Sequence, residues 1–236
     1  MARIQEKRTK VGMSVIEEIA FRQNLRLILL AVGVLAALIY GAFYCYRPQS
    51  LAKSIVKTIP LLAWAGAVAI SFGAGTIVVA LVLSAIGDLV LSRDGERPFL
   101  WGLAAFGLVH VAYTVHFWML GGSAITASLL FPAIVALGLS TEIWLSPYTG
   151  TLRWIVRGYV VLICAMGVAA LGLDMRVWAM IGAMGFILSD TILAMQLFRM
   201  KPNTGLHHLT SVAVWVFYAV GQFLIVAGVG WQTPLF

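Results

Sequence analysis

Two aspartates, Asp88 and Asp190, each interrupt a long run of apolar residues. Withdrawal from water favours the protonated form of a carboxyl group, and a second carboxylate close by favours it further. Two such groups can divide the roles of acid and base, one staying protonated while the other is ionised. That division suits hydrolysis through an oxocarbenium-like transition state, as glycosidases perform it. The alternative is that each aspartate only forms a hydrogen bond with a neighbouring helix.

Other polar and aromatic residues recur at helical spacing around these two positions. Residues three or four apart share one face of a helix. Four such faces occur: Ser84 with Asp88; Gly102, Phe106, His110 and Tyr113; Gly182, Phe186 and Asp190; and Trp215, Tyr218 and Gln222. Four helices can therefore present these faces to one centre. Beside the catalytic pair Asp88 and Asp190, the predicted substrate-binding residues are Lys57, Ser84, His110, Tyr113, Ser189, Tyr218 and Gln222.

The composition indicates that lipid surrounds most of the chain. Of the 236 residues, 61% are hydrophobic and 11% charged, and the mean hydropathy is +0.97. A water-soluble domain usually has about a quarter of its residues charged, so no such domain fits this chain. The net charge of +7 is dispersed over short connections. Anionic lipid headgroups are therefore the expected partner, and nucleic acid is not.

A membrane-spanning helix needs about 20 apolar residues, and eight suitable runs follow one another. They are predicted at Leu25–Tyr46, Ser54–Phe72, Gly75–Leu91, Pro98–Leu120, Ser123–Leu145, Leu152–Leu173, Arg176–Phe198 and His207–Gly228. We expect an all-α membrane protein, a bundle of about eight transmembrane helices with a polar cavity inside. A basic tail over residues 1–24 precedes the transmembrane domain of residues 25–228, and a short tail over residues 229–236 follows it. We do not expect the basic tail to be a cleavable signal peptide, because it lacks a short apolar core.

The ionisable residues inside these runs cluster in one half of the predicted membrane. We number the seven connections between the eight spans in chain order. At a rise of 1.5 Å per residue, four ionisable residues lie within about two helical turns of an odd-numbered connection: Lys57, Asp88, Glu142 and Asp190. This pattern predicts one polar cavity that opens on that face of the membrane, with almost no ionisable side chains in the other half. Lys57 is expected either to bind a phosphate or to extend to lipid headgroups. Glu142 is a candidate surface partner for Arg153 or Arg157.

The orientation of the bundle receives conflicting signals. Most basic loop residues lie in odd-numbered connections, which the positive-inside rule places in the cytoplasm. The basic N-terminal tail favours the opposite arrangement. We expect the odd-numbered connections to face the cytoplasm, because their charges are more numerous and the tail is partly neutralised by its own glutamates.

Two other kinds of site compete with the carboxylate pair. A zinc-dependent lipid hydrolase would take three ligands from the set His110, His116, His207, His208 and Asp88, although His110 is better suited to hydrogen bonding in the cavity. A transporter of lipid or solute would use Asp190 as a proton relay. Transporters often contain inverted repeats; the sequence shows no clear internal symmetry, although Gly87-Asp88 and Ser189-Asp190 lie four spans apart. Cys45 and Cys164 are expected to be packing residues.

Several motifs together resemble a known family. Leu83-Ser84-Ala85-Ile86-Gly87-Asp88 is similar to the Ser-x-x-Gly-Asp signature of the lysoplasmalogenase (YhhN-like) family of integral membrane hydrolases. The segments Phe99 to Tyr113, Gly182 to Ala194 and Tyr218 to Ile225 resemble further parts of that family in the same order. The likeness covers roughly residues 54 to 228, and eight spans is also the architecture of the family.

The resemblance implies an activity and assigns roles. Members of the family cleave the vinyl ether bond of lysoplasmalogens, releasing a fatty aldehyde and glycerophospho-ethanolamine or -choline. Asp88 and Asp190 would then be the acid–base pair, with either one as the acid. We expect Asp190, the deeper residue, to be the acid. The implied partners are a lysophospholipid substrate and membrane lipids, and the implied chemistry needs no metal, nucleotide or redox cofactor. Neither the sequence nor the resemblance indicates an oligomeric state.

Overall fold

The computed structural model describes residues 2–121, 129–173, 175–201 and 204–231, and within the first helix it describes side chains from residue 15 onward. These residues form eight α-helices and no β-strand. The helices are α1 (Ala2–Phe43), α2 (Leu51–Ile70), α3 (Gly75–Leu91), α4 (Glu96–Leu120), α5 (Leu130–Trp144), α6 (Arg153–Ala170), α7 (Val177–Arg199) and α8 (Gly205–Val229). Two single 3-10 turns, Ser146–Tyr148 and Gly150–Leu152, connect α5 to α6.

The predicted all-α membrane fold is confirmed. Seven of the described helices contain segments that are long and apolar enough to cross a membrane, and α3, with 17 residues, is the shorter exception. At 1.5 Å per residue α3 is about 25 Å long. Its bounds are those predicted, because Gly75 and the polar residues after Leu91 limit the apolar run on both sides.

Two predicted spans begin more than a few residues away from the observed helices. Helix α1 continues without a break through residue 24, where the basic tail was expected to end. The fifth span was predicted to begin at Ser123, but residues 122–128 lie outside the described residues, and α5 begins at Leu130. The turn residues Gly122, Asp174, Pro202 and Asn203, and residues 232–236 of the C-terminal tail, also lie outside them.

Local sequence explains how two cavity helices begin. Ser50 precedes α2, and its hydroxyl accepts a hydrogen bond from the backbone N–H of Lys53 at 3.1 Å. Thr204 precedes α8 and accepts in the same way from His207 at 3.2 Å. A Ser or Thr in this position satisfies a backbone donor that the helix itself leaves unpaired. Both caps lie on the face that carries the odd-numbered connections.

The helices pack as a closed ring. Helix α2 contacts α3, α3 contacts α4, α4 contacts α6, α6 contacts α7, α7 contacts α8, and α8 returns to α2. Helix α1 lies outside this ring against α2 and α8, and within the described residues α5 packs mainly on α6. The centre of the ring is filled by large buried side chains, among them Tyr113, Phe117 and Phe186, while Trp64 of α2 packs toward α1 and α8. The four helices whose faces were predicted to converge, α3, α4, α7 and α8, are all members of the ring.

Candidate active site

A cavity of about 500 Å³ lies inside the ring, and Asp88 and Asp190 both line it. Its lining also includes exposed residues of the first two odd-numbered connections, Gln49, Arg93 and Asp94. The cavity therefore opens on the face predicted from the depth of the ionisable residues. Most of its remaining wall is apolar, which suits a ligand with a long hydrocarbon chain.

Asp88 is held by partners from two other helices. It lies one turn before the end of α3 and is only 1% exposed. Its Oδ1 forms an ion pair with the ammonium of Lys57 on α2 at 2.8 Å, and its Oδ2 accepts a hydrogen bond from the hydroxyl of Tyr218 on α8 at 2.9 Å. Lys57 thus turns inward to the carboxylate and not toward lipid headgroups. A buried carboxylate needs partners of this kind to remain charged.

A second polar chain lies behind this pair. Gln222 donates through Nε2 to the hydroxyl of Ser84 at 2.9 Å, and its Oε1 accepts from the hydroxyl of Tyr113. All three side chains are fully buried, and none lines the cavity. Ser84 is one turn from Asp88, and Gln222 is one turn from Tyr218. The chain therefore ties α3, α4 and α8 together directly beneath the Asp88 cluster.

Asp190 has a different set of neighbours. Its Oδ2 accepts from the hydroxyl of Tyr159 on α6 at 2.5 Å, and Nε2 of His110 on α4 lies 3.2 Å from the same oxygen. His110 Nε2 is also 3.0 Å from the Tyr159 hydroxyl, and its Nδ1 faces the sulfur of Met166 at 3.3 Å. A neutral imidazole carries one N–H: protonated at Nε2 it donates to these two oxygens, and protonated at Nδ1 it donates to the sulfur and accepts at Nε2. Among the described residues, Oδ1 of Asp190 has no hydrogen-bond partner.

Aromatic rings separate the two carboxylate clusters. Phe186, on the same face of α7 as Asp190, packs against His110 with ring centres 4.9 Å apart and against Tyr218 at 5.4 Å. Phe106 packs edge-on against both Phe186 and Tyr218. Ser189 also lines the cavity, and its hydroxyl donates to the backbone carbonyl of Val214 at 3.0 Å. The rings hold the clusters in place without joining them by hydrogen bonds.

The structure thus brings the predicted residues together in two layers. Five of them line the cavity: Lys57, Asp88, Ser189, Asp190 and Tyr218. The other four lie behind its wall: Ser84, His110, Tyr113 and Gln222. Sequence reasoning missed Tyr159, which bonds to Asp190. Its one signal was a hydroxyl inside the apolar run of the sixth span, two residues after Arg157.

Other ionisable residues are engaged elsewhere. Glu142 pairs with Arg157, and with Arg153 at 3.8 Å, on the surface, as the sequence suggested. His116 lies at the opposite end of the bundle, between the hydroxyl of Thr76 at 2.7 Å and the carbonyl of Val229 at 3.2 Å. The zinc hypothesis requires three ligands that converge. In the part of the chain that the structure describes, no three His, Cys, Asp or Glu side chains are grouped in that way.

These features define a multi-pass α-helical membrane protein with a carboxylate site in an intramembrane cavity. Residues 49–229 match the model of the YhhN family, and the chain belongs to that family. Two curated relatives, from Mycobacterium bovis and Mycobacterium tuberculosis, are named lysoplasmalogenase. Each is 30% identical over 159 residues, which are 64% of this chain and 59% of the relative. The match thus spans less than two thirds of those relatives. No solved structure gives a significant match.

Proposed function

We propose that this protein is a lysoplasmalogenase, which hydrolyses the vinyl ether bond of a lysoplasmalogen to a fatty aldehyde and a glycerophospho-base. The observation that carries the proposal is the pair Asp88 and Asp190, which line one cavity in different surroundings. One carboxylate is paired with an ammonium, and the other is bonded through a single oxygen. Family membership and the name of the two relatives support the same activity.

Asp190 is the proposed acid. Its Oδ2 accepts the hydrogen bond from Tyr159 and faces Nε2 of His110, as the carbonyl oxygen of a carboxylic acid does, so we place the proton on Oδ1. The reaction begins when this proton moves to the β-carbon of the vinyl ether. The new C–H bond takes the π electrons of the double bond, and the ether oxygen shares the resulting positive charge in an oxocarbenium ion.

Asp88 is the proposed base, because the ion pair with Lys57 stabilises its charged form. It takes a proton from the water molecule that attacks the oxocarbenium carbon, and a hemiacetal results. The hemiacetal collapses when its hydroxyl proton passes to Asp190 and the departing glycerol oxygen takes the proton held by Asp88. One water is consumed, and both carboxyl groups return to their starting states.

The residues behind the cavity wall are proposed to position the pair and not to touch the substrate. Ser84, Tyr113 and Gln222 hold the helices that carry Asp88 and Tyr218. His110 and Tyr159 fix the side chain of Asp190. Such supporting hydrogen bonds keep reacting groups in productive geometry, which is a large part of catalysis by orientation.

The test is aldehyde release by the purified protein in detergent, with ethanolamine and choline lysoplasmalogens as substrates and an acyl lysolipid as the control lipid. Loss of a general acid or base typically lowers the rate about 10²- to 10⁴-fold, so we expect Asp190→Asn and Asp88→Asn to fall by that range. Glu142→Gln is the matched control, because it removes a carboxylate from the surface pair. Folded wild type that releases no aldehyde from either lipid would overturn the proposal. Unchanged turnover by both Asn variants would overturn the assigned roles.

A further inference from the structure

Lys53 is a buried cation at the mouth of the cavity. It lies one turn before Lys57 on the same face of α2, is 9% exposed and lines the cavity. Its ammonium donates to the backbone carbonyls of Cys45 at 3.2 Å and Arg47 at 2.6 Å. No carboxylate of the described residues lies within ion-pair distance of it. Two carbonyl dipoles use two of its three N–H donors and leave its charge without a counter-ion.

The surroundings of Lys53 are positively charged where the cavity opens. Arg93 lines the same mouth and is exposed, and no ion pair to its guanidinium is found among the described residues. Lys57 is already neutralised by Asp88. Asp94 is the carboxylate that lines the mouth beside them, and it is exposed. A buried cation near a second, exposed one is an arrangement that attracts an anion from the water side.

The distances along α2 fit a glycerophosphate. Lys53 and Lys57 are four residues apart, or about 6 Å along the helix axis. In a lysoplasmalogen five single bonds separate the phosphorus from the vinyl ether oxygen, and bonds of ordinary length span about 6 Å over that path. A lipid whose ether oxygen lies near the Lys57–Asp88 pair therefore has its phosphate one helical turn nearer the mouth, at the level of Lys53.

We propose that Lys53, assisted by Arg93, binds the phosphate oxygens of the substrate headgroup and so sets how deep the vinyl ether enters. This inference rests on the proposed function and deepens it. Lys53 is a binding and positioning residue, since the reacting atoms lie at the level of the carboxylates. The rival role for Lys53 is structural, as a cap on the carbonyls that follow α1.

The test compares a lysoplasmalogen with the matching alkenylglycerol, which has the same vinyl ether and no phosphate. We expect wild type to prefer the phosphorylated substrate in kcat/KM. A charged hydrogen bond of this kind corresponds to roughly 10- to 100-fold. Lys53→Gln is expected to lose that factor on the lysoplasmalogen, mainly through KM, and to keep wild-type turnover of the alkenylglycerol. Lys53→Arg should restore most of the preference, and Arg97→Gln, an exposed cation outside the cavity lining, should change neither substrate.

The possible results separate the two proposals. Wild type that cleaves neither substrate contradicts the proposed function itself. Wild type that cleaves both equally well, or Lys53→Gln that loses the same factor on both, overturns the phosphate site and leaves the hydrolase standing. If Lys53→Gln does not fold, Arg93→Gln decides, with a several-fold loss on the lysoplasmalogen alone expected and equal effects on both substrates overturning the inference. Inorganic phosphate that alters alkenylglycerol turnover by wild type but not by Lys53→Gln, combined with equal cleavage of the two lipids by wild type, would show a site for free phosphate and overturn headgroup binding.

Discussion

At the scale of single residues, the ion pair between Lys57 and Asp88 dominates the electrostatics of the cavity. The carboxylate side chain is 2% exposed and the lysine side chain 25%. Breaking such a pair leaves a charge without a partner in an apolar wall, which is strongly unfavourable, whereas replacing both members by neutral groups is often tolerated. The pair should therefore behave very differently under single and double substitution.

We predict that Lys57→Met destabilises the protein by about 2–3 kcal/mol, less than the 3–5 kcal/mol of a fully buried pair because the lysine is partly exposed. The double variant Lys57→Met/Asp88→Asn should be closer to wild type in stability while remaining inactive. Thermal unfolding in detergent, arranged as a double-mutant cycle, measures the coupling. Single-variant losses that simply add up in the double variant would show that the two side chains do not interact.

The sequence identified the two aspartates but not their partners. An ionisable residue in an apolar run is conspicuous on its own, so Asp88 and Asp190 could be selected without knowledge of the fold. Tyr159 could not, because tyrosines are common near membrane interfaces and its contact with Asp190 joins α6 to α7. The partner of Lys57 was equally hidden, since helical spacing reports which residues share one helix and not which helices meet.

At the scale of helices, apolar run length predicted most boundaries to within a few residues, because lipid penalises any polar interruption. What run length could not give was the packing order, in which α5 lies outside the ring. The grouping of residues on one face of a helix was more informative about packing than the length of the apolar runs. Gly182, Phe186 and Asp190 were placed on one face, and that face packs against α8 through Gly182, where backbones approach closely.

We predict that Gly182→Ala is much more damaging than Gly185→Ala. A methyl group at residue 182 would lie 2.5 Å from the carbonyl oxygen of Gly221, whereas one at residue 185 would lie 3.3 Å from that of Phe217. Overpacking of this kind costs about 1–3 kcal/mol, and pushing α7 from α8 also separates Phe186, on the face that carries Asp190, from Tyr218. Melting temperature and aldehyde release should both fall for Gly182→Ala and fall less for Gly185→Ala. Equal behaviour of the two variants would mean that this crossing does not position the site.

At the scale of the whole molecule, the two ends of the bundle are built differently. One end opens through the cavity mouth. The other is closed by His116 and its two partners and by the backbone bond from Ala74 to the carbonyl of Gly230 at 3.1 Å. A lipid that enters from the mouth must therefore place its chain sideways. The part of the cavity that could hold the chain is its apolar wall on α5, α6 and α7, here called the extension. It is lined by Leu137, Gly138, Val160, Ile163, Cys164, Leu193 and Ala194.

This extension predicts a dependence on chain length. Each buried methylene contributes about 0.8 kcal/mol, so long alkenyl chains should gain more from the extension than short ones. Ala194→Trp fills part of that space and should lower kcat/KM for a long-chain lysoplasmalogen by about tenfold or more, the equivalent of about two methylenes, while a short-chain substrate is barely affected. The matched control is Met195→Trp, which adds the same ring to the next residue of α7, 40% exposed and outside the cavity lining. If Ala194→Trp slows both chain lengths equally, the hydrocarbon chain does not lie between α5 and α7 and must leave the cavity by another route.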